Sequence, residues 1–155
     1  MGKKFIVSLI MVFSFIFILT GCTKTKSITY KVETGDNIKV SLKVNDGYDL
    51  KQAIDSNATF EITKAGDVLS QAIFTNHDYY NQYVNSVSSD DSAKIIEQQK
   101  KKNLEYIFYS YSHDSFTEYN YIIKIVDTNT AILIGNIKSE DSAKEVFNRL
   151  SFEKK

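Results

Sequence analysis

The chain has 155 residues, 43% of them apolar and 25% charged, which suits one globular domain with a core of its own and argues against two. Lysine plus arginine equals aspartate plus glutamate at 19 each, so the balance calls for neither nucleic acid nor an acidic polymer as partner. Proline is absent and glycines number six, which excludes a stiff Pro-rich spacer or a Gly-rich linker.

Lys3 and Lys4 precede Phe5–Leu19, apolar except for Ser8 and Ser14, which reads as the n-region and h-region of an export signal. Such a run, as a helix rising about 1.5 Å per residue, reaches ~22 Å, short of the ~30 Å hydrocarbon core. A spanning helix is therefore disfavoured. The run ends in Leu19-Thr20-Gly21-Cys22, which contains the only cysteine. This segment resembles the lipobox of bacterial lipoproteins: a leucine, two small residues, then the cysteine.

The resemblance implies a diacylglyceryl group on the Cys22 sulfur and cleavage just before it. A thioether needs a thiol, and serine cannot replace it. Two or more acyl chains, at about 0.8 kcal/mol per buried methylene, convert marginal membrane binding into stable anchoring. The expected organisation is a cleaved signal at 1–21, a lipidated tether at 22–27 and a single domain at 28–155, held on the extracytoplasmic face of the cell membrane. Cleavage leaves 17 bases against 19 acids, a formal net of −2. The alternatives, an ordinary export signal with an incidental cysteine or an uncleaved anchor helix, leave an exposed thiol as a redox liability. Within the tether, Lys24 and Lys26 are placed to meet anionic headgroups at about 1 kcal/mol each, against the alternative of a merely soluble spacer.

Ile28–Val32 begins the ordered part, and Gly35-Asp36-Asn37 turns into a strand where Ile38, Val40, Leu42 and Val44 alternate with polar residues. After Asn45-Asp46-Gly47, Tyr48–Asn57 reads as a loop with one short helical turn around Leu50–Ile54. Phe60 and Ile62, then Ala65-Gly66-Asp67 and Val68–Phe74, read as a hairpin. From Asn76, a reasonable N-cap, the period becomes helical through Tyr79, Tyr80, Tyr83, Val84 and Val87. Asp91–Lys102, acidic at its start and basic at its end, predicts a second, peripheral helix. Leu104–Ser112, Phe116–Val126 and Thr130–Lys138 form an antiparallel meander whose two-sided apolar pattern wants cover on both faces. Ser139 caps a closing helix with Ala143, Val146, Phe147 and Leu150 on one side.

The expected fold class is thus α+β: an antiparallel sheet of about six or seven strands with helices packed against it, including a C-terminal amphipathic helix. That order, with TAILIGNIKSEDSAKEVFNRLSF passing from strand to helix, is similar to small lipoproteins of the PsbP/Mog1-like type over roughly Ile28–Phe152. The sequence contains no tryptophan, so the type's tryptophan-bearing loop has no counterpart.

The chemistry-bearing residues are sparse. His113-Asp114-Ser115 are consecutive, whereas a hydrolytic triad converges from separate segments, so a turn is the better reading. His77-Asp78 and His113-Asp114 lie 36 residues apart without zinc-ligand spacing, and no metal or cofactor is expected. Phosphate-cradling and calcium-loop motifs are missing. Glu105 and Glu118, on neighbouring strands, suit surface pairing better than glycoside chemistry, and Lys100-Lys101-Lys102 suits a helix end. The oddity is ten tyrosines. Among them Tyr109, Tyr111, Tyr119 and Tyr121 are a candidate surface for a sugar or peptide, with filling of the sheet-helix interface as the alternative.

These features point to a non-catalytic, lipid-anchored binding or accessory domain whose partners are the membrane, through Cys22, and a protein or peptide, with no nucleic acid. An immunity or sensor lipoprotein that captures a peptide is the second reading, and an envelope enzyme the third.

Overall fold

Strand pairing dominates the computed structural model, which describes residues 22–54 and 57–155; the expected export signal lies outside them. Two antiparallel sheets carry the fold. The smaller has the order β1-β2-β10, formed by Thr25–Lys31, Asn37–Lys43 and Leu150–Lys154. The larger has the order β3-β4-β5-β9-β8-β7-β6. Its strands are β3 (Tyr48–Gln52), β4 (Phe60–Lys64), β5 (Asp67–Asn76), β6 (Ala93–Lys101), β7 (Leu104–Ser112), β8 (Thr117–Ile125) and β9 (Thr130–Asn136). Helix α1 (His77–Ser89) follows β5, and α2 (Glu140–Arg149) follows β9.

The alternation in β2 explains why the small sheet needs the large one. Ile38, Val40 and Leu42 share a face and are fully buried, where they meet Phe60, Ile62, Phe108, Ile123 and Ile132 of the large sheet. Each such side chain contributes about 1.5–3 kcal/mol on burial. Helix α2 closes this core with Ala143 and Val146, and Phe147 stacks on Tyr121 at 4.1 Å. Helix α1, capped by Asn76 accepting from the Tyr79 amide, lays Tyr80 and Val87 on Ile107, Tyr109, Ile122 and Ala131 on the opposite face.

The structure departs from the sequence pattern in four elements. Asp91–Lys102 is no helix: Ala93–Lys101 is the edge strand β6, and its register jumps from Ile95↔Tyr109 to Glu97↔Phe108. This bulge places Ile95 and Ile96 side by side and breaks the period of two that would have revealed a strand. Lysines along an exposed edge also discourage unwanted pairing. Tyr48–Gln52 is strand β3 instead of a loop, with Tyr48 and Leu50 buried between the polar Asp49 and Lys51. Strand β1 starts at Thr25, before the apolar alternation begins, because backbone pairing with Lys43 and Leu42 extends it. Finally, α2 ends at Arg149 and Leu150 opens β10, pairing with Leu42, so the closing helix is followed by a strand that completes a second sheet.

Candidate functional site

Helix α1 covers only part of its face of the large sheet, and the uncovered corner over β5, β9 and β8 is concave. One polar row crosses it in register: Glu61 opposite Gln71, Gln71 opposite Gly135, Gly135 opposite Asn120, and Asn120 opposite Tyr109. Gly135 is the floor. A methyl group placed there would stand 2.9 Å from Glu118 Oε1 and 3.1 Å from Asn120 Oδ1, so the absent side chain is what lets these two oxygens converge. Val68, Ile73, Leu133 and Ile137 form aliphatic walls around a cleft of about 630 Å³, with Lys138 at its rim.

Asn120 decides how this corner is read. As a residue it is 5% exposed, and its side chain lines the cleft with Oδ1 close to Glu118 Oε1 over Gly135. An amide that faces a cleft can exchange water for an incoming polar group at little cost. Glu118 is the adjacent charge, 34% exposed, with the His113 ring nitrogen 3.4 Å from its second oxygen. Burial, with Tyr83 and Glu118 close by, pushes the Tyr109 hydroxyl well above its usual value, so it stays a neutral phenol. Gln71 is occupied, donating to Glu61 at 2.9 Å. Comparison with family models, curated proteins and solved structures finds no match to this chain.

A second cleft of about 760 Å³ meets the first at Asn57 and Ile73, which line both. Its wall includes Tyr30, whose hydroxyl is buried without a partner and is pushed up to about 12 by burial.

The four tyrosines singled out in the sequence do not share a surface. Tyr109 is 4% exposed beneath α1, and Tyr111 lies beside it, 5.0 Å from the His113 ring. Tyr121 is buried on the other face between Phe108 and Phe147, and Tyr119 packs partly buried against that same core. Most of their rings therefore fill the two interfaces. Cys22 is exposed three residues before β1. His77 points its ring nitrogen at the Ile125 and Thr130 carbonyls, 3.2 Å from each, and so braces the β8–β9 turn. Among the described residues no group of three His, Cys, Asp or Glu side chains is placed to hold a metal. No described helix is long and apolar enough to cross a membrane.

Sequence reasoning missed Asn120 and Gly135. Both carried a signal: a glycine inside a strand marks a close approach, and a lone amide stands between Tyr119 and the apolar run Tyr121–Ile123.

Proposed function

We propose that the chain is a lipid-anchored, extracytoplasmic binding module, non-catalytic, that takes its ligand in the cleft floored by Gly135. The lipobox resemblance at Leu19–Cys22 supports the anchor. The observation that carries the binding reading is the convergence of Asn120 Oδ1 and the Glu118 carboxylate over the bare floor of Gly135, inside an aliphatic cleft. Two acceptor oxygens with aliphatic walls suit a primary amine on an apolar body: the ammonium pairs with Glu118, one N–H meets Asn120 Oδ1, and the body lies against Ile73, Leu133 and Ile137. Capture of a peptide is a second reading, favoured by the continuity of the two clefts past Asn57 and Ile73. A sheet with a helix on each face also supports kinship with the PsbP/Mog1-like type.

The two parts of the reading separate experimentally. Cys22→Ser is expected to release the protein from membranes on mild washing, and unchanged retention refutes the anchor. For the cleft, leucinamide titrated into the isotope-labelled protein should shift the Asn120 side-chain and Gly135 backbone signals, whereas N-acetyl-leucinamide, its amine blocked, should not. Equal responses to both, or none to either, reject the amine site. Hydrolysis of leucinamide would move the chain into the enzyme class.

A further inference from the structure

The three-stranded sheet hides one face against the large sheet and leaves the other open, and this open face has a charge unlike the rest of the molecule. Strand parity assigns it Thr25, Ser27, Thr29 and Lys31 from β1, Lys39, Ser41 and Lys43 from β2, and Ser151 and Glu153 from β10. The register lines up Ser27, Ser41 and Ser151 as one row of small hydroxyls, Ser27 and Ser41 hydrogen-bonded at 2.7 Å. Lys155, whose amide donates to the Asn37 carbonyl, adds a fourth lysine to Lys31, Lys39 and Lys43. Glu153 is the one acid there, with Lys39 Nζ at 3.6 Å and Lys155 Nζ at 3.4 Å. The face thus has a formal charge of +3, whereas residues 22–155 together carry −2, which leaves −5 for everything else.

We propose that this face lies flat against anionic lipid headgroups, as a second membrane contact beside the lipid on Cys22. The proposal rests on the anchored reading for its geometry. Cys22 is three residues from the first residue of β1, and Lys24 is already fixed, its amide donating to Asn45 Oδ1 at 3.1 Å and its carbonyl accepting from the Val44 amide at 2.9 Å. The free span between lipid and fold is at most about 7 Å. A domain held so closely must rest some surface on the bilayer. Standing upright on the start of β1 would bring Asp46 and Asp49 towards the anionic surface. Lying on the sheet instead presents four lysines, with Ser27 and Ser151 exposed on either side of the buried Ser41, and four rows of a strand extend about 20 Å along the membrane. Lys26, the other tether cation, lies on the opposite side of β1 from Thr25 and Ser27, where it pairs with Asp49 at 2.7 Å.

The test uses the mature protein purified from membranes and reconstituted into vesicles of phosphatidylcholine alone or mixed with phosphatidylglycerol. Lysines are acetylated briefly and the sites are read by mass spectrometry. Lys31, Lys39, Lys43 and Lys155 are expected to react about fivefold more slowly in the anionic vesicles, the factor of one headgroup contact. Lys94, exposed on the far edge strand β6, should react equally in both. High salt should remove the difference. Equal rates on the sheet in the two vesicle types, or protection centred on Lys94, overturn the proposal. The mass of the Cys22 peptide in the same samples reports the lipid separately. If it is bare, the anchor reading fails, and the face is judged by whether the same chain, added from solution, sediments with anionic but not neutral vesicles.

Discussion

Thr130 donates its hydroxyl hydrogen to Asp36 Oδ2 at 2.9 Å, joining turns that are 94 residues apart in the chain. The same carboxylate oxygen accepts from the Asn129 amide at 2.8 Å, and its other oxygen faces Lys154 Nζ at 3.3 Å. Thr34 and Thr130 add a hydroxyl pair at 2.6 Å. The β1–β2 turn of the small sheet is thereby tied to the β8–β9 turn of the large one, and Asp36 is the knot.

Removing this carboxylate leaves the Asn129 amide without its acceptor and the Thr130 hydroxyl with only the Thr34 hydroxyl as partner on this side. Asp36→Ala is expected to cost about 1–3 kcal/mol in urea unfolding. Burial by itself would raise the Asp36 pKa, but the Asn129, Thr130 and Lys154 contacts outweigh it and hold the group below its ordinary 3.8. A depressed folded pKa gives stability that is complete above the unfolded value and lost as pH falls through 3.8 towards the folded one. Unfolding midpoints measured across that range should fall less steeply in Asp36→Asn than in the parent; identical slopes would count against the assignment.

Gly135→Ala tests the cleft without touching the core. The new methyl meets the ends of two side chains, not backbone, and both can swing aside. Stability should change by less than about 1 kcal/mol, while the leucinamide response disappears. Retained binding would show that Glu118 and Asn120 do not act over Gly135.

Arg149 joins α2 to the end of β2. Its guanidinium donates to the Lys43 and Asn45 carbonyls, reaches Asp46 and Glu145, and lies 4.0 Å over the Tyr48 ring. Lysine keeps the charge and loses the fork and the stacking, so Arg149→Lys should cost about 1–3 kcal/mol. Thermal unfolding would detect this, and a neutral result would mean that the contacts are surface ornament.

The β4–β5 hairpin contains a correctable strain. Lys64 pairs with Asp67 across two residues, Ala65 at φ 50° and Gly66 at φ 93°, both left-handed. This turn type favours Asn-Gly, and alanine tolerates the conformation poorly. Ala65→Asn is expected to raise stability by about 0.5–1 kcal/mol, read from the urea midpoint.

The sequence made helix α1 and the β7–β9 meander legible, because Tyr80 with Val87, and Ile107 with Ile122, repeat at the periods their elements require. Other parts hid for identifiable reasons. The bulge at Ile96 cancelled the alternation of β6, and the charges at its ends imitated a helix dipole. Strand β1 shows a polar outer face, so half its residues read as tether. Leu150 sits one helical repeat from Ala143, yet its partner is Leu42 in another sheet, a contact no local period encodes. The candidate site was the least legible. Tyrosines drew attention by number, while the cleft depends on a missing side chain at Gly135 and on Asn120, whose oxygen meets that of Glu118 only once the strands are paired.

Strand β2 has β1 on one side from the outset, but its other edge is filled only by β10, which follows the entire large sheet in chain order. During synthesis that edge stays open while the meander assembles, and the final closure requires a loop spanning most of the chain. Maturation should therefore be slow and late, with a window in which a chaperone, or a second nascent copy offering its own β10, can occupy the vacancy.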